Sequence, residues 1–191
     1  MIRSIALFAF ILTACNNNPD AKKTEMSIKD STGETEVTVK KPATDIVNRD
    51  EELQAMTALT ATDLEKLVPA ELMGIARTDI NSNNNVGTAM VIATYAPENS
   101  SELRLIIMDC GGSGGAGAYN LIYANELGQD KNSEVEYTKT IDFNGSKAIE
   151  HCMKPTGDCS LTWFSGSRYL VSVEGNNIDV MKKAVTGLNV Q

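Results

Sequence analysis

The dipeptide Asn144-Gly145 stands between two alternating runs, residues 137–143 and 146–153, and it restricts the fold more tightly than any other feature of the chain. Asn-Gly supplies the two positive-φ positions of a type I′ turn, whose twist matches that of the flanking strands. A two-residue loop sets Phe143 opposite Ser146, and every later pairing follows because strand side chains repeat with period two. Asp142 then faces Lys147, and Lys139 faces Glu150. Two cross-strand pairs of opposite charge thus follow from a register chosen by the turn alone.

Other short runs share this β character. Residues 74–81, 87–96 and 102–110 precede the hairpin, and residues 159–165 and 168–174 follow it. Asn81-Ser82-Asn83-Asn84-Asn85-Val86 reads as a polar turn between the first two. Several links are too short for the crossover that parallel strands need. Helical spacing is visible at Leu53, Met56 and Leu59, and again at Leu64, Leu67 and Val68, where Thr60 or Thr62 is placed to cap. A further helix is expected over residues 118–127. At the C-terminus Asn177 is a natural N-cap for Ile178, Met181, Val185 and Leu188, with Gly187 at the helix end. The expected fold class is α+β: a mainly antiparallel sheet of about six to seven strands with helices packed on it. This order of elements is similar to the PsbP-like sandwich found in some exported lipoproteins.

Composition sets outer bounds. The chain has 191 residues, 42% apolar, with 17 basic residues against 25 acidic ones and a net charge of −8. That length suits one domain with extensions. The acidic balance excludes the basic face that phosphate neutralisation requires, so no nucleic-acid partner is expected.

The N-terminus has a different grammar. Arg3 precedes an apolar run, residues 5–12, of signal-peptide length and too short to span a bilayer. Leu12-Thr13-Ala14-Cys15 follows. This tetrapeptide resembles the lipobox of bacterial lipoproteins. The resemblance implies that residues 1–14 are a signal peptide that is removed, and that Cys15 becomes the lipidated N-terminus. It also implies anchoring to the membrane of a bacterial cell envelope, and Asn16 after the cysteine points to the outer membrane rather than the inner. Residues 15–50 then read as the lipidated cysteine and a flexible tether, rich in both charges and without an aromatic residue. Within it, Met26-Ser27-Ile28 and residues 35–39 flank a turn at residues 30–33, a weak hairpin pattern. Residues 51–191 form the single globular domain.

Several residues invite a chemical reading. Gly112-Ser113-Gly114-Gly115-Ala116-Gly117 fits the dinucleotide fingerprint GxGxxG, with Glu136 about 20 residues on. The surrounding chain lacks alternating βαβ units, so the segment is expected to be a flexible strand–helix connection, and no cofactor is assigned. Among the remaining cysteines, Cys152 and Cys159 straddle a turn and are favoured as a disulfide in an oxidising compartment. The competing arrangement joins Cys110 to one of them. His151 is the only histidine. Its neighbour Cys152 would point to the opposite face of a strand, so no metal set is assigned. Trp163 and Arg168 are spaced to stack as a cation–π pair, with Tyr169 beside them.

No nucleophile elbow or paired acid–base signature accompanies these residues. The expected role is therefore a non-catalytic binding or accessory protein of the envelope, with a protein or small molecule as its partner. The alternative is an envelope hydrolase with a site near Asp109 and the segment from Gly112 to Gly117, which requires Asp109 and His151 to share a pocket.

Overall fold

The computed structural model describes residues 24–30, 33–39, 49–85, 87–96 and 102–191. The expected signal segment 1–14, Cys15, and residues 16–23, 31–32 and 40–48, where a tether was expected, lie outside the described residues.

Antiparallel pairing runs through the whole sheet. The strands are β1 (Thr24–Asp30), β2 (Gly33–Val39), β3 (Glu71–Leu72), β4 (Ile75–Asn85), β5 (Thr88–Tyr95) and β6 (Leu103–Asp109). They continue as β7 (Gln129–Asn132), β8 (Glu136–Phe143), β9 (Ser146–Met153), β10 (Cys159–Ser165) and β11 (Tyr169–Gly175). Their spatial order is β1-β2-β7-β8-β9-β10-β11-β6-β5-β4-β3. Two meanders, β3 to β6 and β7 to β11, meet where β6 pairs with β11. The helices are α1 (Asp50–Ala55), α2 (Ala61–Glu65), α3 (Gly112–Tyr119) and α4 (Ile178–Val185). A π-helical stretch, Asn120–Ala124, continues α3.

The sheet-rich α+β expectation stands, with more strands than the six to seven expected. The weak hairpin at residues 24–39 is formed, with Asp30 opposite Gly33, and joins the main sheet through β2 and β7. β7 has the sequence Gln-Asp-Lys-Asn, which carries no apolar period to find. The polar turn expected at residues 81–86 is instead strand as far as Asn85, which pairs with Thr88. β4 is flanked on its outer side only by the two-residue β3, and Thr78, Asp79, Asn81 and Asn84 along it are exposed, so a polar sequence suits it.

The central hairpin has the register that the turn dictates. Asn144 and Gly145 have φ of 47° and 75°, and Phe143 faces Ser146. Lys147 Nζ lies 2.6 Å from Asp142, and Lys139 Nζ lies 2.8 Å from Glu150. The N-caps are chosen by chemistry too. Thr60 accepts from the Asp63 N–H, and Asn177 accepts from Asp179 and Val180, which satisfies donors a helix start leaves open.

Each face of the sheet has its own core. On the first, Val91, Leu105, Ile107, Leu161, Trp163 and Val171 pack beneath α2 (Leu64) and α4 (Met181, Val185). On the second, Ile149, Phe164 and Leu170 pack beneath Leu53 of α1, Tyr119 of α3 and Tyr123 of the π-helical stretch. Tyr119 meets the Phe164 ring edge-on at 4.8 Å, and the Tyr123 hydroxyl donates to the Lys147 carbonyl. Trp163 packs edge-on against Phe143 at 5.4 Å. It does not stack on Arg168, because that guanidinium is bonded to Asp109.

Cys152 and Cys159 face each other across β9 and β10 and are disulfide-bonded. Cys110 is free and buried, and burial pushes its thiol up to about 12, which keeps it protonated and inert. Closing so short a loop restricts the unfolded chain modestly. A Cys152→Ala/Cys159→Ala double variant is therefore expected to lose about 2 kcal/mol in urea unfolding. No loss would mean that the hairpin alone holds this end of the sheet.

Candidate functional site

The glycine-rich segment is a helix, not a flexible connection. Gly112 has a φ of 80°, a conformation that favours glycine. A Cβ on Gly111 would sit 2.7 Å from the Arg168 guanidinium. One on Gly115 would press on the Cys110 carbonyl and come within 2.6 Å of the Asp109 carbonyl oxygen. Gly111 is thus explained by the Arg168 guanidinium, Gly112 by its backbone conformation, and Gly115 by the packing of α3 onto the end of β6. Near Gly112 lie Ala58 and the Met56 carbonyl, within 3.8 Å of where its Cβ would be. The chain from α1 to α2 therefore passes over the start of α3, where a dinucleotide phosphate would have to sit.

Asp109, the candidate acid, is fully buried and already saturated. Arg168 donates from Nε at 2.6 Å and from Nη2 at 2.9 Å. The Leu59 N–H donates at 2.6 Å and the Gly111 N–H at 3.0 Å. Arg168 also donates to the Thr57 carbonyl. Burial pushes the Asp109 pKa up, but the Arg168 bonds and the two backbone N–H groups outweigh it and hold the carboxyl below its usual range. This cluster straps residues 57–59 to the sheet.

His151 belongs to another region. Asp109 pairs with Tyr169, whereas His151 pairs with Ser160, which pairs with Glu174, which pairs with Arg104. His151 is thus five residues along and three strands across from Asp109, a separation of roughly 20 Å. The structure does not bring the two together in one pocket.

The second face of the sheet carries a polar patch around His151 and Ser160. Thr138, His151, Ser160, Glu174, Arg104 and Thr94 form one cross-strand row on five successive pairings. His151 Nε2 lies 3.1 Å from Glu136, and Arg104 lies 3.1 Å from Glu174. One row above, Thr162 and Ser172 share a hydrogen bond of 2.9 Å. The row borders a cleft of about 570 Å³ that Glu102 and Asp158 also line. Its groups can donate, accept and pair with charge of either sign. Sequence reasoning missed this row because it is drawn from six strands, and only the sheet order puts its members side by side.

A second, apolar groove of about 390 Å³ runs beside α3. Gly114, Gly117, Ala118 and Leu121 form one wall, and Met90 and Met108 form the other. Among the described residues, no three His, Cys, Asp or Glu side chains are grouped to hold a metal ion, and no helix is long and apolar enough to cross a membrane. No protein-family model, curated protein or solved structure matches this chain, so the reading of these surfaces rests on their own residues.

Proposed function

We propose that this chain is an exported lipoprotein, held at a bacterial envelope by acyl chains on Cys15, whose sheet domain serves as a binding or accessory module. The observation that carries the reading is the order of Arg3, the apolar run 5–12 and Leu12-Thr13-Ala14-Cys15. The Cys152–Cys159 disulfide supports it, because such bonds persist in oxidising compartments. Asn16 supports the outer membrane as the destination. Each buried methylene of an acyl chain contributes about 0.8 kcal/mol, and stable attachment takes two or more chains. The polar row of His151, Ser160, Glu174 and Arg104 is the face available for a polar partner in the envelope.

A fractionation experiment tests this. The native chain is expected in the membrane pellet, to be released by detergent and not by high salt. The Cys15→Ser variant is expected in the soluble fraction, folded and with the same disulfide, or retained with its leader uncleaved. Equal membrane attachment of a processed Cys15→Ser chain would contradict the reading.

A further inference from the structure

Asn144 serves two elements at once. Its backbone supplies the first positive-φ position of the central turn, with a φ of 47°, and its side chain reaches the end of α4. Nδ2 donates to the Val185 carbonyl at 2.9 Å and to the Leu188 carbonyl at 3.3 Å, and Oδ1 accepts from the Gly187 N–H at 3.1 Å. A helix leaves its last carbonyls without partners, and here the partner is a side chain 41 residues earlier. A second tie lies beyond it. The Val190 N–H donates to Ser165 Oγ at 3.1 Å, and Ser165 Oγ donates to the Val190 carbonyl at 3.2 Å. The turn alone would accept aspartate or glycine at position 144. The amide is what the end of α4 requires.

We propose that Asn144 is a modification site: a clamp on α4 that deamidation opens for good. Asn-Gly is the dipeptide most prone to this reaction, because glycine leaves its own nitrogen unhindered. The Gly145 nitrogen bonds to Asn144 Cγ, the Cγ–Nδ2 bond breaks, and Nδ2 leaves as ammonia with the Gly145 proton. Water then opens the cyclic imide to aspartate or isoaspartate. Water is the only other reactant, and both residues are exposed to it.

The product reverses the contact. An ionised carboxylate only accepts hydrogen bonds, and it would face the Val185 and Leu188 carbonyls at the negative end of the helix. The clamp also guards itself. While Nδ2 is bonded to both carbonyls the side chain is held in place, so the ring closes when α4 has lifted, and the new charge opposes its return. Lifting α4 uncovers Met181 and Val185 of the first core and parts Lys182 from Glu150. This inference does not depend on the lipid anchor.

Two measurements on the full chain, purified without acyl chains as Cys15→Ser, test the clamp. The first follows deamidation of the tryptic peptide Thr140–Lys147 by mass spectrometry during incubation at mildly alkaline pH. Deamidation is expected to be slow in the folded chain and fast in urea. Ser165→Ala removes the second tie without touching the turn, and is expected to speed deamidation about fivefold or more. Equal rates in the folded and unfolded chain overturn the proposal. The second measurement is amide hydrogen exchange. Asn144→Asp keeps a dipeptide that suits the turn, and exchange of residues 178–190 is expected to rise by roughly tenfold or more while β9 keeps its protection. Asn144→Gly, which loses the donors without gaining the charge, should fall between the two. Unchanged exchange over residues 178–190 in Asn144→Asp overturns the proposal. Protection lost from β9 as well also overturns it, because the opening would not be that of α4.

Discussion

An Arg168→Ala variant is expected to lose about 3–5 kcal/mol of unfolding free energy, a large share of the roughly 5–15 kcal/mol that holds a domain together. The reason is the position of its partner. Asp109 has no exposed surface, and Arg168 supplies the two hydrogen bonds that carry the compensating charge. Without them the carboxylate keeps only the Leu59 and Gly111 N–H groups. An uncompensated charge in the interior costs far more than the pair contributes. The Thr57 carbonyl loses its donor as well, so residues 57–59 should become accessible to protease. Arg168→Lys should recover little, because an ammonium cannot make the paired bonds of a guanidinium. The check is urea denaturation at neutral pH. A loss below about 1 kcal/mol would mean that the pair is an ordinary surface contact.

Glu150→Ala is the second large effect, expected at about 2–4 kcal/mol. Glu150 is 1% exposed on β9. The Tyr137 hydroxyl donates to it at 2.7 Å, Lys139 lies at 2.8 Å, and Lys182 of α4 lies at 2.5 Å. The loss is smaller than for Arg168 because both lysines remain partly exposed and can turn to water. Burial pushes the Glu150 pKa up, but Lys139, Lys182 and Tyr137 outweigh it and hold the carboxyl below its usual range.

The sign of the pH dependence follows for both acids. A carboxyl whose pKa is depressed on folding contributes stability above its unfolded value, about 4. That stability is lost as pH falls through the folded value. The native chain should therefore lose stability on acidification below about pH 4. Glu150→Ala and Asp109→Asn should each flatten that limb. An acid limb unchanged in both variants would show that other carboxylates dominate it.

Local chemistry was legible in the sequence, and long-range pairing was not. The turn at Asn144-Gly145 specified its hairpin through eight residue pairs because strand period and turn type leave one register. The cysteines at 152 and 159 could be joined because the strands around their turn pair symmetrically. Asn177 and Thr60 capped as their side chains dictate. In contrast, the helix at residues 112–119 has the composition of a loop. Gly111 before it and Gly115 within it are required by close approach to Arg168 and to the end of β6, which no window of sequence displays. β4 continues through Asn81–Asn85 for a similar reason: pairing with β5 fixes it as a strand, whatever its polarity. The two ion clusters join residues 59 apart, Asp109 with Arg168, and residues 32 apart, Glu150 with Lys182. Neither spacing carries a local signal. The polar row through His151 and Ser160 depends on the strand order, which the crossover from β6 to β7 decides.

The intact mass of the protein purified from its native membrane tests the central claim most directly. The account predicts a chain that begins at Cys15, heavier than its sequence by a diacylglyceryl group and an added acyl chain on the amine, with two cysteines oxidised. A mature chain with an unmodified Cys15, or one that still carries residues 1–14, would contradict it.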